Sequence, residues 1–192
     1  YFKNNPYNLG ALHENWVGFS SILDAGVPQL VNEYGWIWLW RDGRPSKLTL
    51  NNYNYYLGEN ATPAQCRELQ AYWLQLETEW LRSERSVGGI LAFCHLTNNY
   101  GFTGFRWFKH CFAPTAVFID LTDHRYTKHL PALKPGSDLV FNLVGVNDLN
   151  KDSSGKVLLK LLDEKGTIIS TQEESIVIEP FGKRLQPCLL KL

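Results

Sequence analysis

The chain has 192 residues, 44% of them hydrophobic and 14% aromatic, and its 19 basic residues are matched by 19 acidic ones. A balanced charge without a Lys/Arg cluster gives no footprint for nucleic acid or an anionic membrane, and no apolar stretch reaches the roughly 20 residues needed to span a bilayer. Cys66, Cys94, Cys111 and Cys188 show neither C-x-x-C spacing nor a paired His pattern, so neither a metal nor a cofactor is expected.

The sequence opens on Tyr1 and contains no Met, as expected of a processed or excised piece of a longer polypeptide. Residues 10–25, "GALHENWVGFSSILDA", place Leu12, Trp16, Phe19 and Leu23 at three- and four-residue spacing before Gly26, predicting an amphipathic helix closed by glycine. "VPQLVNE" (27–33) is short, rich in Val and Leu and not cleanly alternating, which suits a parallel strand covered on both faces. A long aromatic loop follows, from Tyr34 to Ala61. The sequon Asn60-Ala61-Thr62 reads as a helix start, because Thr62 can cap, Pro63 suits the first helical position and Gln65 completes a T-x-x-Q box.

From Pro63 to Glu84 the pattern predicts a helix with Leu69, Tyr72, Trp73, Leu76, Trp80 and Leu81 inward and Arg67, Glu68, Gln75 and Glu79 largely outward. "SVGGILAFCHLT" (86–97) is a second apolar strand, with Cys94 as a small buried thiol. Helix, strand, helix, strand with short connections is α/β grammar. After residue 113 the grammar changes to short alternating runs broken by Pro, Gly, Asp and Asn, with Asp163-Glu164-Lys165-Gly166 as a hairpin turn. The expected organisation is thus an α/β region over 1–112 and an all-β, immunoglobulin-like β-sandwich over 113–192.

In parallel α/β architectures ligands sit at the carboxyl ends of the strands. Glu33 stands at such an end and is followed by Tyr34, Trp36, Trp38 and Trp40, joining an ionisable group to flat apolar rings that suit the C–H faces of sugars. A carboxylate here can attack an anomeric carbon; equally, a strand-end Glu can be a solvated loop residue and a W-x-W-x-W run can be packing.

A strand ending in "NEYG", an aromatic loop, an amphipathic helix, the strand "GGILAFCHLT" and then "FRWFKHCFAPTAVFIDL" together resemble the C-terminal part of family 2-type glycoside hydrolases, the group of β-galactosidases, β-glucuronidases and β-mannosidases. The resemblance spans nearly the whole chain, though its sharpest motif is about ten residues long. It implies that residues 1–112 are the C-terminal portion of a (β/α)8 TIM barrel and that "FAPTAVFID" leads into the sandwich. It further implies an exo-acting retaining β-glycosidase, with Glu33 as catalytic nucleophile and an acid/base residue upstream of this chain, so that the fragment alone is inactive. Relatives carry a Tyr that hydrogen-bonds the nucleophile, and Tyr1 is the candidate. The family's strand-end tryptophan is replaced here by "AFCHLTNNYG", placing His95 and Asn98 near the sugar site; His95 can contact a hydroxyl or satisfy a backbone carbonyl. Tyr34, Trp36 and Trp38 complete the expected substrate contacts.

The expected partners are a carbohydrate substrate and the upstream part of the same polypeptide. Localisation follows from such substrates as secreted or periplasmic. The rival reading is a non-catalytic carbohydrate-binding module or pseudoenzyme. A protein-interaction module, with the aromatic loop at an interface, is a third.

Overall fold

A computed structural model describes residues 26–35, 38–83, 85, 87–92, 109–120, 134 and 136–191. They contain seven strands: β1 (Gln29–Tyr34), β2 (Val87–Ala92), β3 (Thr115–Asp120), β4 (Asp138–Asn147), β5 (Ser153–Leu162), β6 (Ile168–Ile178) and β7 (Lys183–Lys191). The principal helices are α1 (Leu50–Leu57) and α2 (Pro63–Ser83). The chain divides into two compact units, with a break between Ala113 and Pro114.

The first unit is built on α2. Thr62 and Gln65 cap it reciprocally: the Thr62 N–H donates to Gln65 Oε1 at 2.9 Å and the Gln65 N–H to Thr62 Oγ1 at 3.3 Å. Against α2 lie β1 and β2, a two-stranded parallel sheet. Val31, Tyr34 and Leu81 form its buried cluster, flanked by Trp80, Val87 and Ile90.

α2 departs from the simple two-sided pattern. Tyr72 is exposed, while Glu79 is buried and accepts a hydrogen bond from Gln75 Nε2 at 2.6 Å. Residues 34–61 also differ from the expected loop, because α1 forms there. Asn and Tyr are mediocre helix formers, and packing overrides propensity: Tyr53 is fully buried, and both Tyr53 and Tyr56 lie against Trp73, with ring centroids 5.8 and 4.9 Å away.

In the second unit β3, β4 and β7 make a three-stranded antiparallel sheet in the order β3-β4-β7, and β5 and β6 make a two-stranded one. Phe141, Leu143, Cys188 and Leu190 from the larger sheet meet Leu159 from the smaller in one core cluster. The β5–β6 turn is held by Asp163, whose Oδ1 accepts the N–H groups of Lys165 (2.9 Å) and Thr167 (2.7 Å), with Gly166 at φ 83°. These bonds hold the Asp163 carboxyl below its ordinary pKa.

These findings correct the expected fold class. Among the described residues strand outweighs helix, 44% to 25%, and it is divided among several small sheets, so these residues do not carry the helical content of a (β/α)8 TIM barrel. Two parallel strands cannot close a barrel. The second unit has five described strands, three facing two, where an immunoglobulin-like sandwich has at least seven. The architecture is a small parallel β–helix unit followed by a small antiparallel β unit.

Candidate functional site

The Glu33-Tyr34-Gly35 corner is the point where β1 stops. Its parallel partner β2 pairs Ala92 with Tyr34, so the carboxyl ends of both strands fall on one edge. Gly35 turns the chain at φ 82° and is buried, and a Cβ at this position would run into Leu74 Cδ2 of α2. No other residue type fits both the dihedral and the space.

Tyr34 fixes the corner from inside. It is only 2% exposed, and its hydroxyl lies 2.6 Å from Thr78 Oγ1. Thr78 gives its single hydroxyl hydrogen to the Leu74 carbonyl at 2.6 Å, so Tyr34 is the donor in the pair. Burial pushes the Tyr34 phenol well above its ordinary pKa. The expected role of Tyr34 as a substrate contact is therefore corrected: its ring packs between β1 and α2, and its hydroxyl is already engaged.

Glu77, one residue before Thr78 on α2, is the group that the sequence did not single out. Its carboxyl lies close to the corner, with Oε2 3.7 Å from where a Gly35 Cβ would stand. Its Oε2 is fully buried and has no hydrogen-bond partner among the described residues, although Glu77 as a whole is only partly buried. Loss of water raises its pKa from 4.5 to about 7, and the nearby Gly35 backbone opposes that rise. Such a carboxyl has the proton affinity of a general acid, but it is shut between helix and strand.

Further along α2, Arg82 anchors the segment that ends this unit, donating from Nη1 to the Cys111 carbonyl and from Nη2 to the Ala113 carbonyl, the latter at 2.8 Å. Burial raises the Cys111 thiol above its ordinary pKa, with the Arg82 charge opposing.

The aromatic segment after the corner is a tight loop. The Trp40 N–H donates to the Arg44 carbonyl at 2.7 Å, the Ser46 N–H to the Trp38 carbonyl at 3.2 Å, and Leu39 bridges Pro45. Thr49 Oγ1 adds a 2.6 Å bond to the Trp38 carbonyl. Trp38 is partly buried and Trp40 is 64% exposed, so the two rings sit in different environments. Glu33 has its backbone in β1, but its side chain lies outside the described residues, as do Tyr1, Trp36, His95, Asn98 and the helix expected over 10–25.

Cys66, Cys111 and Cys188 are free thiols, and no group of three or more His, Cys, Asp or Glu able to hold a metal occurs among the described residues. No described helix is long and apolar enough to cross a membrane. No protein-family model matches the chain, and neither the curated proteins nor the solved structures contain a match to it.

Proposed function

We propose that the chain carries the nucleophile of a retaining β-glycosidase, with Glu33 as that nucleophile. The observation that supports this most is the corner itself: a glutamate one residue before the end of a parallel strand, ahead of a glycine that only glycine can satisfy. Glu33 would attack the anomeric carbon to form a covalent glycosyl-enzyme. A second carboxyl, roughly 5–5.5 Å away, would protonate the leaving oxygen and later activate water.

The substrate is a carbohydrate, met by the aromatic loop; Trp36, Trp38, His95, Asn98 and Tyr1 remain the proposed contacts. The upstream part of the same polypeptide is the proposed partner, and Leu30 and Leu91, 63% and 55% exposed on β1 and β2, are the apolar side chains it would cover. A secreted or periplasmic setting fits such substrates.

The test is hydrolysis of a panel of aryl β-glycosides by the intact polypeptide and its Glu33→Gln variant, with the product anomer followed by NMR. Hydrolysis with retention, reduced at least about a thousandfold in the variant, supports the reading. Equal rates in both proteins sink it. The exposed ring of Trp40 favours a second reading, non-catalytic sugar binding, which predicts binding without turnover.

A further inference from the structure

The turn that carries Trp40 is tied down from three sides. Its ends are paired through the Trp40 N–H and the Arg44 carbonyl (2.7 Å), it is closed by the Gly43 N–H on the Trp40 carbonyl (2.8 Å), and Leu39 bridges Pro45 behind it. Inside the turn the Arg44 N–H donates to Asp42 Oδ1 at 2.9 Å. From α2, Arg67 Nη2 donates to the Arg41 carbonyl at 3.3 Å, and a Cβ on Gly43 would come within 2.7 Å of Arg67 Cζ and 2.9 Å of Pro63 Cβ. The turn is therefore seated on the start of α2, and the Trp40 ring takes no part in the bonds that hold it.

Two exposed groups stand on this base. Trp40 is 64% exposed and the Arg44 side chain 77%. Residues paired directly across a turn send their side chains to the same face, with Cβ atoms roughly 5 Å apart, so the ring and the guanidinium leave together. Asp42 holds Arg44 only loosely: its Oδ2 is 3.7 Å from Arg44 Nε, too long for a hydrogen bond, and both side chains are solvated. Arg41 and Lys47 are exposed as well, so residues 38–49 carry three basic groups and one acidic one in a chain whose charge otherwise balances.

A flat apolar ring beside a planar cation matches a sugar that bears an anion. The ring takes the C–H face, and the guanidinium takes a carboxylate or sulfate through paired N–H···O bonds. Because the turn is already fixed, little ordering is left to oppose binding. A nucleic-acid strand would need a basic path longer than one turn, and the balanced charge of the chain supplies none.

We propose that the 40–44 turn is a docking point for an anionic polysaccharide, with Trp40 against a sugar ring and Arg44, backed by Arg41 and Lys47, on its carboxylate or sulfate ester. This rests on the carbohydrate reading above, but not on Glu33 or on turnover.

The experiment measures, by titration calorimetry, binding of the intact polypeptide to polygalacturonate, to a sulfated galactan and to a neutral β-glucan. Trp40→Ala, Arg44→Gln and Arg44→Lys are compared with the wild type, each first checked for an unchanged melting temperature, as expected of exposed side chains. Hydrolysis of aryl β-glycosides is followed in parallel. The wild type should bind at least one polyanion about tenfold or more tightly than the neutral glucan, and the preference should weaken as salt is added. The polyanion that binds identifies the anion as carboxylate or sulfate. Trp40→Ala and Arg44→Gln should each lose about tenfold, with Arg44→Lys keeping part of the affinity, because the charge remains without the fork. Should Trp40→Ala lower the melting temperature, the two Arg44 variants decide.

Equal affinity for the neutral glucan, or polyanion binding that survives Trp40→Ala and Arg44→Gln, overturns the proposal. Equal binding of poly-glutamate or oligothymidylate, lost in the same variants, also overturns it, since the turn would then be a general contact for anions. Hydrolysis without polyanion binding removes the docking point and leaves the glycosidase reading standing. Polyanion binding that these variants weaken, without hydrolysis, supports the docking point and removes turnover; absence of both removes both.

Discussion

Asn147 in the antiparallel unit and Glu77 in the parallel one are both polar side chains taken out of water, and they are treated in opposite ways. Asn147 is fully buried at the end of β4, and all of its capacity is used. Nδ2 donates to the carbonyls of Lys151 (2.8 Å), Ile178 (3.1 Å) and Glu179 (3.0 Å), while Oδ1 accepts the Leu149 N–H at 3.0 Å. The backbone N–H of Asn147 reaches the Gly182 carbonyl at 3.0 Å. One residue thus ties the β4–β5 and β6–β7 connections together. Glu77 keeps one carboxyl oxygen buried with no hydrogen-bond partner among the described residues. A satisfied polar hub is what structure alone demands; a buried carboxyl oxygen without a partner works against the fold.

The largest effect should come from breaking the satisfied side. Asn147→Leu leaves the buried Ile178 carbonyl without this donor and removes the part-buried bonds to Lys151, Leu149 and Glu179, and should destabilise the antiparallel unit by about 2–4 kcal/mol, read from its denaturant midpoint.

Glu77 should act with the opposite sign. Its folded pKa lies above its unfolded value, so the protonated carboxyl belongs to the fold. Stability is fully present below pH 4.5, is lost as pH rises to about 7, and is level above that. The loss should be roughly 3 kcal/mol at about 1.4 kcal/mol per pH unit, and Glu77→Gln should flatten that part of the stability–pH curve. A wild-type curve without a downward slope between pH 4.5 and 7 would show that this carboxyl is not buried as described.

Thr78→Val sharpens the contrast at the corner itself, since it keeps the shape but leaves the Tyr34 hydroxyl without its acceptor. Thermal unfolding should show a loss of about 1–2 kcal/mol. The smallest effect should be a gain beside the Asn147 hub. Phe181 is 61% exposed and sits at φ 51°, a conformation that costs an L-residue roughly 1 kcal/mol, so Phe181→Gly should relieve about that strain in the same measurement.

How much of this was legible in the sequence depended on the range of the forces involved. The Thr62–Gln65 box and the Asp163–Gly166 turn were readable because donor and acceptor lie within a few residues, and local chemistry decides the outcome. α1 was not readable, because "NNYNYY" is poor helix sequence and the helix exists through the packing of Tyr53 and Tyr56 on Trp73. Glu77 looked like one more charge along a helix; its meaning comes from Gly35, which is distant in sequence and close in space. Asn147 read as turn punctuation for the same reason. The fold class failed on a different point: strand–helix alternation is compatible with part of a barrel, but the described residues are mostly strand in several small sheets with little helix. At the corner the sequence did indicate the position of Glu33 and the glycine after it, while the inward burial of Tyr34 depended on Thr78.

The measurement that bears most directly on the account is intact-mass spectrometry of the whole polypeptide after exposure to a panel of 2-deoxy-2-fluoro β-glycosides, followed by peptide mapping. The account predicts a single sugar adduct on Glu33, absent from Glu33→Gln. An adduct mapped to another carboxylate, or a folded protein that no sugar labels, would contradict it.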